Sequence, residues 1–138
     1  MRRLRRYIPI LALLLAGCMT SCRHSGISDG LQRAEALMET NPHAARAVLD
    51  SLNLQSSFFI FQSKDAALYA LLKTQADYKC FLPLASDSLA RIATDYYGTP
   101  RRPDYHAAMA WYTLGCVYTD MHQTEDAFAA YLKALSGR

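Results

Sequence analysis

Apolar residues recur every three or four positions from about residue 29 to the C-terminal end of the chain. Leu31, Ala34, Leu37 and Met38 are the first such group. Residues with this spacing share one face of an α-helix, whereas a half-buried strand requires alternation of apolar and polar residues, which the chain does not show. The pattern therefore predicts an all-α fold.

Capping and breaking residues divide this helical stretch into six helices. Gly98 and Pro100 can end a helix, because glycine and proline favour helix C-termini and the residues beyond them. The residues that can cap or open helices are Asn41, Pro42, Ser63 or Asp65, Ser86 or Asp87, Pro103, Asp104 and Thr124. We predict three antiparallel helical hairpins, at about 29–52, 63–98 and 103–136.

The third hairpin contains aromatic and small residues at fixed spacings: Trp111, Leu114, Gly115, Tyr118, Ala127, Tyr131 and Ala134. The set resembles the tetratricopeptide repeat (TPR), in which these positions form the contact between the two helices. Its physical basis is shape, because Gly115 and Ala127 allow two helix backbones to approach closely. Aromatic rings at Trp111, Tyr118 and Tyr131 then fill the space beside them.

The second hairpin is similar but less regular. Ala76, Ser88 and Ile92 stand where the third hairpin has its glycine, first alanine and second-helix tyrosine, and Pro100 closes the repeat. The first hairpin keeps the size of a repeat but not the motif. The resemblance implies that the hairpins stack as a short, right-handed TPR-like solenoid.

The first helices of successive TPR hairpins line a concave groove. By resemblance, the residues that face this groove are Met109, Tyr112, Cys116, Thr119 and Asp120 from the third hairpin and Lys73, Asp77 and Cys80 from the second. Tyrosine, methionine and charged groups together suit an extended peptide or a helix. We therefore expect a protein or peptide partner.

No pattern in the chain indicates catalysis. The four histidines, His24, His43, His106 and His122, do not lie three or four residues from another histidine or a cysteine, so no metal-ligand spacing is present. Cys116 is interpreted as a small buried hydrophobe, with a spatially adjacent His106 as the alternative that would make it a nucleophile. We predict a non-enzyme without metal or cofactor.

The first residues have the layout of a secretory signal. Arg2, Arg3, Arg5 and Arg6 precede the apolar segment Ile8 to Ala16, which is shorter than the about 20 residues that a transmembrane helix needs. Leu15-Ala16-Gly17-Cys18 resembles the lipobox of bacterial lipoproteins, which implies removal of residues 1–17 and acylation of Cys18. Cleavage without acylation and acylation of Cys22 are the alternatives. Residues 18–28 are then a flexible lipidated tether, and the helical domain covers 29–138.

Charge argues against nucleic acid as a partner. Removing residues 1–17 takes four of the 15 Lys and Arg and none of the 12 Asp and Glu, so the remainder carries a net charge of −1. A protein that binds the phosphates of nucleic acid needs a cluster of Lys and Arg, and residues 18–138 contain none that is large enough.

Together, the two resemblances imply a non-enzymatic TPR adaptor that a lipid anchors to a membrane of the bacterial envelope. We place it on the periplasmic face of the outer membrane. The alternative is a sensory segment, because the chain is also similar to the N-terminal part of longer periplasmic TPR proteins that continue into a helix-turn-helix regulatory domain.

Two apolar surfaces are not explained by the repeat motif. The run Phe58 to Phe61 is interpreted as a buried connector, with an exposed partner-binding patch as the alternative. In the last helix, the inward residues are predicted to be Ala127, Phe128, Tyr131, Ala134 and Leu135, which leaves Ala129, Ala130 and Leu132 outside. A terminal helix with so apolar an outer face lacks a polar cap. We therefore predict self-association through the C-terminal helix.

Overall fold

A computed structural model of the chain describes residues 26–52, 54, 63–98 and 104–136. All regular structure in these ranges is helical, which confirms the all-α prediction for them. The helices are α1 at 26–37, α2 at Pro42–Ser51, α3 at Lys64–Lys79, α4 at Ser88–Tyr97, α5 at Tyr105–Asp120 and α6 at Thr124–Ser136. The predictions for Cys18, Cys22 and Phe58 to Phe61 concern positions outside the described residues.

Three predicted N-caps are confirmed. The side chains of Asn41, Ser63 and Asp104 each accept a backbone N–H two or three residues further on, at 3.0, 3.1 and 3.1 Å. Each bond satisfies one of the amide groups that the first turn of a helix leaves unpaired. Thr124, which was also predicted to be a cap, is the first residue of α6.

The C-terminal ends of α3 and α5 share one backbone arrangement. The amide of Leu82 donates to the carbonyl of Asp77 at 3.0 Å, and the amide of Gln123 donates to Tyr118 at 2.8 Å. Phe81 (φ 58°) and His122 (φ 59°) take the left-handed conformation that this type of helix end requires. With caps at Ser63 and Asp104, both helices have 16 residues, and equivalent positions differ by 41.

The helices pack in a chain of neighbours. Helix α2 contacts α3, α3 contacts α4 and α5, α4 contacts α5, and α5 contacts α6. One apolar cluster joins α1 and α2 to α3, a second joins α3, α4 and α5, and a third joins α4, α5 and α6. The core is therefore continuous along the described helices.

Gly115 sets the distance between α5 and α6. A Cβ atom at this position would lie 2.5 Å from Cε1 of Tyr131. Ala127 and Ala134 are buried against α5, and so is Ala130, which the sequence pattern had placed outside. Phe128 and Leu135, predicted to face inward, are 65% and 57% exposed. The prediction for these three residues was wrong because the ring of Tyr131 fills the space beside Gly115, and the other inward positions of α6 hold alanines.

The predicted register of the second hairpin was also wrong. Ser88, aligned with Ala127, is exposed, and Ala76, aligned with Gly115, packs in the cluster of α1 and α2, which contains no residue of α4. The buried residues of α4 have the same spacing as the buried alanines of α6, three and then four positions apart: Ala90, Ala93 and Tyr97. The inward face of α4 therefore begins two residues later than predicted.

Candidate functional site

Tyrosines of three helices form a continuous aromatic surface. Tyr78 of α3 and Tyr112 of α5 are 39% and 40% exposed, and their rings meet edge to face with 6.4 Å between centroids. Tyr131 of α6 continues the row, 5.8 Å from Tyr112. Together with exposed Thr119, these three tyrosines are called the tyrosine surface below.

The hydroxyl groups of this surface are ordered by hydrogen bonds. Thr119 Oγ1 donates to the carbonyl of Gly115 at 2.9 Å and shares a hydrogen bond of 3.0 Å with the hydroxyl of Tyr131. A hydrogen bond with Tyr78 raises the pKa of Tyr112, and burial raises the pKa of Tyr131. Tyr112 and Tyr131 therefore present neutral hydroxyl groups at physiological pH.

Cys116 lies beneath the tyrosine surface instead of on it. Its exposure is 3%, and its sulfur lies 3.8 Å from the hydroxyl oxygen of Tyr131. Burial raises the pKa of the thiol, although the hydrogen bonds from tyrosines oppose the shift. Because the thiolate is the reactive form, these surroundings disfavour a nucleophilic role.

His106, the proposed spatial partner of Cys116, has other neighbours. Ten residues of helix separate the two, which corresponds to about 15 Å along α5. The Nε2 atom of His106 lies 2.7 Å from a carboxylate oxygen of Glu35, and its ring stacks on Tyr97 at 5.3 Å. His106 is therefore not the adjacent base that a nucleophilic Cys116 would need.

Lys73 and Asp77 form an ion network with α2. Asp77 Oδ1 accepts from Arg46 Nε at 2.8 Å and from Lys73 Nζ at 2.9 Å, and Lys73 also reaches Asp50 at 3.0 Å. Burial lowers the pKa of Lys73, but its hydrogen bonds and charge interactions with Asp77 and Asp50 together raise the pKa by a larger amount, so the net shift is upward. The charges of both predicted groove residues are thus paired within the chain.

The shared ends of α3 and α5 explain this misplacement. At a difference of 41 positions, Lys73 and Asp77 correspond to Leu114 and Tyr118, which pack with residues of α4, and not to Tyr112 and Cys116 as the predicted alignment implied. Tyr78 corresponds to Thr119. Tyr78 was missed by the sequence analysis, although the spacing of the caps Ser63 and Asp104 carried the necessary signal.

The remaining predicted groove residues take different roles. Met109 is half-buried against the second apolar cluster. Asp120 is exposed, and its carboxylate accepts the backbone amide of Leu84 at 3.2 Å, which attaches the α3–α4 loop to the end of α5. Cys80 is partly exposed and forms the C-cap of α3.

Among the described side chains, no group of three or more His, Cys, Asp and Glu could hold a metal ion. None of the described helices combines the length and the apolar character that crossing a membrane would take.

Comparisons with known proteins give no relative from which a role could be transferred. No protein-family model, no curated protein and no solved structure matches the chain.

Proposed function

We propose that the chain is a non-enzymatic, TPR-like adaptor that binds a polypeptide segment on its tyrosine surface and is anchored through Cys18 to a membrane of the bacterial envelope. The observation that carries the proposal is the row of exposed Tyr78 and Tyr112 and partly buried Tyr131 on three packed helices.

The packing order supports a right-handed solenoid of three hairpins. The second helix of one hairpin packs on the first helix of the next at α2–α3 and at α4–α5, and the first helices α3 and α5 also meet. Such nearest-neighbour packing is typical of repeat proteins. The hydrogen bond between Glu35 and His106 also joins the first hairpin to the third, so the proposed stack is tighter there than a simple array.

The chemistry of the tyrosine surface favours an uncharged segment of polypeptide. Tyrosine offers a large ring and one polar group with few rotatable bonds, so it loses little conformational entropy when it binds. Neutral hydroxyl groups can both donate to and accept from a peptide backbone. The ion network does not add free charge here, because its members are paired with one another.

A capture experiment with matched tyrosine variants tests the binding role. Tyr78→Ala and Tyr112→Ala should each lower capture of a partner from envelope extracts by about tenfold, as expected for tyrosines that dominate an interface. Tyr105→Ala is the control, because Tyr105 is 60% exposed and lies outside the tyrosine surface. Asp120→Lys tests the charged edge of the proposed groove. Equal capture by all four folded variants would contradict the proposal.

The anchor is tested separately by fractionation. Cys18→Ser should stop incorporation of labelled palmitate and move the protein from the membrane fraction to the soluble fraction, because the acyl chains supply most of the membrane affinity. If the Cys18→Ser variant still incorporates the label, Cys18 is not the anchor, and Cys22 becomes the residue to test.

A further inference from the structure

A second site lies on the other side of α5. A cleft of about 250 Å³ opens between α4 and α6, with Trp111 and Tyr118 of α5 in its wall. Tyr118 is two residues from Cys116, which is about 200° around a helix of 3.6 residues per turn. The cleft is therefore separate from the tyrosine surface, and its role does not depend on the function proposed above.

Trp111 presents a fixed aromatic face to this cleft. Its indole N–H donates to the carbonyl of Gly98 at 3.3 Å, which holds the ring in place. The ammonium group of Lys133 lies over the ring, 4.1 Å from its centroid. Cations are attracted to the negative face of an aromatic ring, so this position already holds a positive charge from the chain itself.

The charged side chains that line the cleft differ in whether they form ion pairs within the chain. Arg91 lines the cleft, and its Nε donates to Asp87 at 2.8 Å, so its charge is paired. Asp95 of α4 and Asp126 of α6 also line the cleft, and within the described ranges neither forms an ion pair with a Lys, Arg or His side chain. Two exposed carboxylates that pair with no cationic side chain of the described residues thus flank an aromatic face.

The size of the cleft selects the kind of ligand. Pockets for small molecules are usually about 300–1,000 Å³, so a cleft of about 250 Å³ suits a single side chain better. A guanidinium group is planar, stacks on aromatic rings and donates several hydrogen bonds to carboxylates. We propose that this cleft binds an arginine side chain of a partner polypeptide, with Asp95 and Asp126 as acceptors, and that the arginine displaces Lys133 from Trp111.

Fluorescence tests the proposal directly, because Trp111 is the single tryptophan of the chain. The purified full chain is titrated with the blocked tripeptide Gly-Arg-Gly, and with Gly-Lys-Gly and Gly-Glu-Gly as comparisons. We expect a saturable change of emission with the arginine peptide, a weaker response with lysine and none with glutamate. An equal response to all three peptides, or none to the arginine peptide, would overturn the proposal.

Variants distinguish the cleft from unspecific charge attraction. Asp95→Asn and Asp126→Asn should weaken binding of the arginine peptide, whereas Lys133→Gln should strengthen it by about two- to fivefold, since a competing cation–π contact is removed. Glu125→Gln is the control, because Glu125 lies on α6 outside the cleft lining. If the control weakens binding as much as the two aspartate variants do, or if Lys133→Gln leaves affinity unchanged, the cleft is not the site.

Methylguanidinium tests whether the cleft prefers a guanidinium group on a polypeptide to one on a small free cation. Methylguanidinium should bind at least tenfold more weakly than the arginine peptide if the cleft is built for a polypeptide side chain. Equal affinity would show that the cleft takes small free cations, and the partner assignment would be wrong. Circular dichroism at each titration point confirms that every variant remains helical.

Discussion

The junction of α2 with α3 and the junction of α4 with α5 place different chemistry at equivalent backbone positions. Lys73 and Asp77 occupy the first junction, where they join the ion network of Arg46 and Asp50. Leu114, which is 4% exposed, and Tyr118 stand 41 positions later in the second junction, where they pack with residues of α4.

The difference shows that one hairpin contact can be stabilised in two ways. Apolar packing at Leu114 removes surface from water and is insensitive to salt. The partly buried network must offset the desolvation of its charges by pairing every member, so it depends on geometry and ionic strength. The two junctions should therefore respond differently to truncation, to salt and to pH.

The largest effect is expected at the apolar junction. Leu114→Ala should lower the free energy of unfolding by about 2–5 kcal/mol, because it leaves a cavity between α4 and α5. Urea denaturation measures the loss, which should be the same in low and high salt. Leu132→Ala is the control, since Leu132 is 50% exposed. A loss below that of the control would mean that the second junction is not held by packing.

A smaller loss is expected within the third hairpin. Gly115→Ala should destabilise by about 1–3 kcal/mol through overpacking against Tyr131, and the higher helix propensity of alanine offsets up to about 1 kcal/mol of that. Gly26→Ala provides the matched control, because nothing lies within 4 Å of a Cβ atom there. Thermal unfolding of both variants checks the difference; if Gly115→Ala proves as harmless as its control, the close approach of α5 and α6 is not real.

The ion network should contribute less than the apolar junction. Asp77→Asn removes the common partner of Arg46 and Lys73 and should cost about 1–2 kcal/mol, between the values for exposed and buried pairs. The loss should shrink in 1 M salt. Glu39→Gln is the control, since Glu39 in the pair with Lys79 is 67% exposed. If the stability that Asp77→Asn loses does not depend on salt, the two junctions are not stabilised in different ways.

Alkaline pH should lower the free energy of unfolding through titratable groups on α3, α4 and α5. The folded-state pKa values of Lys73, Cys116 and Tyr97 are all raised, so the folded chain holds these protons more tightly than the unfolded chain does. Stability is therefore complete below the unfolded pKa values and is lost as pH rises above about 9. Melting temperatures between pH 8 and 11 measure the decline. Lys73→Met and Cys116→Ala should each flatten it, and an unchanged slope in both would contradict the assignment.

The smallest effect on unfolding is expected on the outer face of α6. Phe128, Leu132 and Leu135 are spaced by four and three residues and are 65%, 50% and 57% exposed, so they form one apolar stripe. Phe128→Ser and Leu135→Ser should change the free energy of unfolding by no more than about 0.5 kcal/mol. Light scattering should show that they reduce the predicted self-association. If the unaltered chain is a monomer at all concentrations, that prediction is wrong.

Local signals predicted most of the fold. Asn41, Ser63 and Asp104 act within two or three residues of themselves, so their caps could be predicted without knowledge of the packing. The buried and exposed faces of α6 could not be predicted in this way, because both faces contain alanines, at positions 127, 129, 130 and 134. Phe128 and Leu135 were then assigned inward by hydrophobicity, although Tyr131 already fills the space beside Gly115.

The site was less predictable because its parts come from distant segments. Thr119 and Tyr112 were expected at the surface, and they are exposed there. The contact of Arg46 with Asp77 spans 31 positions and depends on how α2 crosses α3, which no local pattern specifies. Tyr78 depended on a register that was shifted by the incorrect alignment of Ala76 with Gly115.

The left-handed residues that end α3 and α5 offer a practical use. The hydrogen bonds of each turn come from the backbone, and the side chain of Phe81 is 93% exposed. Its ring therefore adds no packing, and glycine would take the same φ without strain. Phe81 is thus a position where a spectroscopic label or an affinity tag can be attached without disturbing either hairpin.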